Sequence, residues 1–316
     1  MTRDLKLDGI KFVMIFLVVL GHIGYNDCGI GINVMIYSFH MPVFIFLSGY
    51  FTSQYTTNEK QISWFKKTFI IYALAQLAHF LLSIGLGYYE SLLKHELFDS
   101  SLVTWKVLIS PRLALWYLVC LIYWRFSIWK VFPNIDDKKL LCVSCVLAFV
   151  SGIIPIDHDF AFQRAFAFFP FFVIGYIFRK SNLMSKLDDI PYVYAIVGLI
   201  IGLVIARFLP PYMPKLHYSS LLEPIQRIIQ SVLGLFLCLS IIRVLRTNFI
   251  GKFAKYGIYT LWIYIGHTYF IVLGEKVFYY HGISFNLVTA ILLSLIYCTF
   301  FICLSKMINY IKNKYI

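Results

Sequence analysis

Apolar residues along this chain come in long runs that do not alternate in polarity, as in Lys11 to Gly24 and Leu287 to Leu304. A membrane-spanning helix needs about 20 mostly apolar residues. Ten segments meet that demand: 9–28, 31–51, 68–87, 112–131, 139–156, 160–178, 190–209, 222–242, 256–274 and 285–305. The longest gap between them is 88–111. Strands of an outer-membrane barrel would be about ten residues long with alternating polarity, and these runs do not have that pattern. The pattern predicts an all-α, polytopic integral membrane protein. Its ten transmembrane helices would form one bundle and a single transmembrane domain over residues 1–316.

Composition points the same way. Of 316 residues, 60% are hydrophobic and 14% charged, whereas soluble domains carry about a quarter charged residues. Mean hydropathy is +0.78. Aromatics reach 19%, led by 30 Phe and 23 Tyr, which suits helices anchored at both membrane interfaces. The net charge of +13 raises the question of nucleic acid. With the amino terminus in the cytoplasm, however, 20 of the 28 Lys and Arg fall on cytoplasmic segments. That bias is the positive-inside rule for ten helices with both termini inside, so the basicity is topological and nucleic acid is not an expected partner. The lipid bilayer is.

The seven cysteines lie mostly in apolar runs, where a thiol is a small hydrophobe. Cys142 and Cys145 have redox-motif spacing but no nearby His and no βαβ context. The first segment starts with basic residues like a signal peptide. It lacks a small-residue cleavage site and is interrupted by His22, so it reads as a retained helix. Turn chemistry appears at Pro133-Asn134, Pro155, Pro210-Pro211 and Pro214, and Glu223-Pro224 suits the first turn of the eighth helix.

Ionisable groups inside spans are costly and therefore candidates for function. His22 lies 11 positions after Lys11, almost three whole turns, so both side chains share a face about 17 Å apart along the axis. Asp8, one turn before Lys11, can pair with it. A snorkelling lysine and a histidine bonded to a neighbouring helix would be the purely structural reading. His40, in Ser38-Phe39-His40-Met41-Pro42, comes at nearly the depth of His22 on the next helix. Pro42 would bend that helix, and Ser48-Gly49 lies farther in. Arg164 is flanked by aromatics in Arg164-Ala-Phe-Ala-Phe-Phe-Pro170 and must face the bundle interior or a wet cavity. It would bind an anionic group or pair with a carboxylate such as Glu223. His267, in Tyr264-Ile-Gly-His267, is a lone intramembrane imidazole. His158, between Asp157 and Asp159, belongs to a short outer loop. No HExxH, GxSxG, P-loop or GxGxxG is present, and no metal site is predicted.

These residues carry a resemblance. The chain resembles the acyltransferase 3 family of membrane O-acetyltransferases, in its short branch without an added extracytoplasmic domain. The strongest segments are Asp8-Gly-Ile-Lys11-Phe-Val-Met-Ile-Phe-Leu-Val-Val-Leu-Gly-His22 and Phe39-His40-Met41-Pro42-Val-Phe-Ile-Phe-Leu-Ser48-Gly49-Tyr50. Weaker ones are Leu115-Trp116-Tyr117-Leu118, Phe169-Pro170-Phe171-Phe172-Val-Ile-Gly175-Tyr176 and Tyr259-Thr-Leu-Trp-Ile-Tyr264-Ile-Gly-His267. Lys11 stands where arginine is commoner in the family, and Lys66-Lys67 where many members have an arginine pair. Both substitutions keep charge but lose bidentate phosphate geometry.

The resemblance implies transfer of an acetyl or other acyl group from cytoplasmic acyl-CoA to a hydroxyl of a glycan or glycolipid, in a bacterial inner (plasma) membrane. Acetyl-CoA would be the donor substrate, held by Lys11, Lys66 and Lys67. His22 would be the general base, Arg164 would stabilise the oxyanion or hold an acidic acceptor, and His40 would orient the acceptor or the base. Ser48 and His267 would line the site. The alternative is a proton-coupled secondary transporter using the same polar residues. Against it, the two halves show no paired repeat and no matching broken helices.

Overall fold

The computed structural model describes residues 4–23, 31–52, 57–95, 97, 104, 106, 109–153, 160–209, 222–280 and 286–315. Among them every regular element is helical and no strand occurs. Each of the ten predicted segments falls on a helix: α1 (Leu5–His22), α2 (Ile32–Thr52), α3 (Asn58–Lys94), α4 (Trp116–Phe126), α5 (Asp137–Ile153), α6 (Phe162–Lys180), α7 (Tyr192–Phe208), α8 (Leu222–Leu245), α9 (Thr260–Tyr280) and α10 (Leu287–Tyr315). Cys28, Pro155, Asp157, His158, Asp159, Pro210, Pro211, Pro214 and the Glu223 side chain lie outside what is described.

Among the described residues, four helices are long and apolar enough to cross a membrane: Ile32–Thr52, Asn58–Leu92, Ile228–Leu245 and Leu287–Ile308. Tyr192–Phe208 is a shorter apolar helix. By contrast, α1 carries Lys6, Asp8 and Lys11 within 18 residues, and α4 has only 11.

Three segments differ in form from the predicted continuous spans. The 68–87 segment is the middle of α3, whose 37 residues extend about 55 Å. The helix starts early because the Thr57 hydroxyl caps it by accepting from the Lys60 N–H. Lys66 and Lys67 are therefore helical. The 112–131 segment is a 3-10 turn (Leu113–Leu115), then α4, then a π-helical stretch (Ser127–Val131). The first four residues of 256–274 belong to a 3-10 helix, Lys252–Tyr259, preceded by the short helix Asn248–Gly251. A further short helix, Leu183–Asp188, follows α6.

The chain divides into two compact units. The first takes in Met1–Leu47, Phe178–Met213 and Ile225–Ile316, and the second Ser48–Ile177 with Pro214–Pro224. In the first, α1 is largely buried: Leu7, Ile10 and Ile15 have no exposed surface. It packs along the 3-10 helix 252–259 through backbone contact. A Cβ on Gly257 would lie 2.6 Å from the Asp8 carbonyl oxygen, and one on Gly9 would strike the Ile250 carbonyl, so only glycine fits at either place. Arg246 locks the base of α1. Its Nη1 donates to Asp4 at 2.8 Å and its Nε to Asp188 at 2.9 Å. Asp4 also caps α1 by accepting from the N–H groups of Lys6 (3.1 Å) and Leu7 (3.2 Å). Burial alone would lower the Arg246 pKa, but the bonds and charges of Asp4 and Asp188 outweigh it and raise it.

In the second unit, α4 is tied to α6. Trp124, 2% exposed, donates its indole N–H to the Ala165 carbonyl at 2.6 Å. Trp116 stacks on Phe168 with centroids 5.5 Å apart. Gly49 lets its backbone lie against the Phe172 carbonyl, where any Cβ would collide. Helix α3 is polar inside and apolar outside: Gln61, Thr68, Gln76 and His79 are buried, while Phe69, Ile70, Leu74, Leu77 and Leu81 are exposed. That inversion suits a helix whose outer surface meets lipid rather than water.

Candidate active site

Helices α1, α2 and α9 of the first unit each supply one histidine to a single cluster. The His22 and His40 ring centroids are 6.1 Å apart, and those of His22 and His267 are 5.2 Å apart. Tyr37, one turn before His40 on α2, sits edge-on to both, at 5.5 Å from His22 and 5.1 Å from His40. Its hydroxyl donates to the Gly21 carbonyl at 2.9 Å, joining the end of α1 to α2.

Each imidazole is oriented by its own helix. The Nδ1 of His22 donates to the Val18 carbonyl at 2.8 Å, and that of His40 to the Ile36 carbonyl at 2.8 Å. The Nδ1 of His267 donates to the Tyr264 carbonyl. A carbonyl can only accept, so Nδ1 carries the proton and the neutral ring presents its lone pair at Nε2. All three rings are thus set as Nε2 bases. They differ in access. His40 is 3% and His267 0% exposed, whereas His22 is half-buried. The His267 Nε2 is buried and, among the described residues, has no hydrogen-bond partner. In α2, Pro42 has no N–H to give the Ser38 carbonyl one turn earlier, which leaves that acceptor short of its helical partner.

Lys11 does not reach this cluster. It sits near the other end of α1, its ammonium 2.6 Å from Asp8, a carboxylate with 7% of its side chain exposed. The remaining candidates belong to the second unit. Ser48 shares a 2.5 Å hydrogen bond with the Tyr117 hydroxyl. The Arg164 guanidinium lies 5.1 Å over the Trp116 ring. Lys66 and Lys67 are exposed on α3. One segment that looks like a minor motif in the sequence, Leu115-Trp116-Tyr117-Leu118, therefore supplies partners there, with Trp116 under Arg164 and Tyr117 on Ser48.

Sequence reasoning missed Tyr37, although it stands three positions before His40 and so on its face. It also missed Asp4 and Arg246, which steady the helix carrying Lys11 and His22. Among the described residues no group of three His, Cys, Asp or Glu is arranged to hold a metal ion.

Together, the apolar helices and their buried polar residues describe a multi-pass helical membrane protein. A family model described as an acyltransferase domain, that of the acyltransferase 3 family, matches residues 4–309, nearly the whole chain. The chain belongs to that family and is an acyltransferase of the membrane. No curated protein and no solved structure matches it.

Proposed function

We propose that this protein transfers an acetyl or similar acyl group from cytoplasmic acyl-CoA to a hydroxyl of a glycan or glycolipid, with His22 as general base. The observation that carries the assignment is the combination of tautomer and access at His22. It is set as an Nε2 base by its bond to Val18, and it is the most open of the three clustered histidines.

In this reading, His22 Nε2 takes the proton of the acceptor hydroxyl as its oxygen attacks the thioester carbonyl. The tetrahedral intermediate collapses, the carbon–sulfur bond breaks, and the proton passes from His22 to the departing thiolate. A positioned base of this kind contributes about 10²–10⁴-fold. His40 and His267 fix the polarity around His22 and orient the acceptor. In the second unit, the exposed Lys66 and Lys67 are cations suited to the phosphates of coenzyme A; in the first, Lys11 at the base of α1 is the candidate cation. Arg164 is a cation for an anionic group within the second unit. The ten predicted segments cross the inner membrane of a bacterial cell, with both termini cytoplasmic.

The test is transfer from radiolabelled acetyl-CoA to a panel of saccharides and lipid-linked saccharides by the purified protein. Wild type is expected to label at least one acceptor, and His22→Ala to label none above background while remaining folded. Substantial transfer by His22→Ala would overturn the assignment.

A further inference from the structure

The second unit holds a separate polar cluster that the acyl-transfer reading does not use. On α3, Gln76 and His79 are 4% and 2% exposed. They lie nine and twelve residues beyond Lys67, roughly 14 and 18 Å along the axis, near the middle of a hydrocarbon core about 30 Å thick. Facing them is the segment before α4. The Gln76 amide donates to the Ser110 carbonyl at 2.7 Å and accepts from the Arg112 backbone N–H at 3.0 Å. Gln76 thus clamps the backbone on both sides of Pro111. The next residue, Leu113, is held at φ +47°, a left-handed conformation that costs a branched side chain energy.

What this clamp holds in place is the Arg112 side chain. The two Gln76 bonds that hold this segment go to backbone atoms and do not use the guanidinium. Its Nε–H is buried, and among the described residues it has no hydrogen-bond partner. His79 is within reach of the same charge. A buried donor on a permanent cation at this depth is costly to leave unmatched.

We infer that Arg112, with Gln76 and His79, forms an oxyanion-binding site that takes the carboxylate or phosphate group of a ligand entering the second unit. An arginine whose Nε–H and Nη–H point the same way grips such a group with two parallel bonds. The imidazole of His79 adds a donor or acceptor beside it. This inference stands on the second unit alone and does not depend on which residue acts as base.

Thermal unfolding of the full-length protein in neutral detergent would test it. Sodium glucuronate and inorganic phosphate would be titrated against chloride at constant ionic strength. In parallel, nanodiscs of phosphatidylcholine would be compared with discs containing phosphatidylglycerol. Wild type should show a saturable rise in Tm with at least one of these oxyanions. Arg112→Gln keeps the backbone clamp, yet should raise the half-saturating concentration about tenfold or more, the size of one lost charged hydrogen bond. His79→Asn should act in the same direction with a smaller effect, and Lys94→Gln should change nothing. A response to glucuronate without one to phosphatidylglycerol would assign the site to an acidic saccharide, and the reverse would assign it to a lipid headgroup. If Arg112→Gln does not fold, Arg112→Lys, which keeps the charge and loses the fork, should still weaken binding. No saturable response by wild type, or equal responses by wild type and a folded Arg112 variant, would overturn the site.

Discussion

Helices α1 and α3 are both built from apolar runs, yet they place their polar residues to different ends. Helix α1 buries aliphatic residues on most sides, and with them Asp8, and it carries Lys11 and His22. Helix α3 turns Phe69, Leu74 and Leu81 outward, each about 60% exposed, and buries Thr68, Gln76 and His79. The difference separates two demands on a membrane helix. Where apolar atoms meet lipid, they gain little from burial against protein, and the inward face is free to be polar. Where a helix is surrounded by protein, charges survive only if they are matched, as Asp8 is by Lys11. A hydropathy scan finds α3 at once and undervalues α1, which bears the best candidate base.

The comparison can be broken most forcefully at His22. If α1 is the chemical helix, His22→Ala should lower the transfer rate by about 10²–10⁴-fold with little change in Tm. A fall in Tm matching the loss of rate would reduce His22 to a packing residue. Next in size is packing. Ile10→Ala, at a site with no exposed surface, should cost about 2–5 kcal/mol in reversible unfolding. The Lys11–Asp8 pair comes third. Lys11→Ala removes the cation paired with a mostly buried carboxylate, and with Lys11 itself a quarter exposed the expected loss is about 1–3 kcal/mol. Asp8→Asn in the same chain should recover most of it, which a double-mutant cycle would read directly. The smallest effect belongs to α3. Leu74→Ala, at a site 62% exposed, should shift stability by less than about 0.5 kcal/mol. A loss as large as that of Ile10→Ala would mean that this face is covered by protein.

How much of this was legible in the sequence depends on distance along the chain. The ten helices were, because each is a local run of apolar residues. So was the shared helix of Lys11 and His22, since 11 residues fix their relation on α1. The extra turns at the start of α3 were hidden by polar residues such as Asn58, Glu59 and Lys60, which hydropathy reads as loop although Thr57 caps a helix there. The 252–259 segment was split because Lys252 and Lys255 interrupt its aromatics, while its role comes from Gly257 meeting α1. Tertiary neighbours could not be read at all. His267 is 245 positions from His22, and nothing local says that their rings lie 5.2 Å apart. Gln76 and Arg112 likewise meet through a backbone bond that no motif announces.

The most direct test of the central claim is equilibrium binding of radiolabelled acetyl-CoA to the purified, folded protein, with His22→Ala beside it. Saturable binding that His22→Ala retains while losing transfer is the predicted result, because the base acts on the acceptor proton and not on the donor's phosphates. Absence of binding by folded wild type would contradict the account.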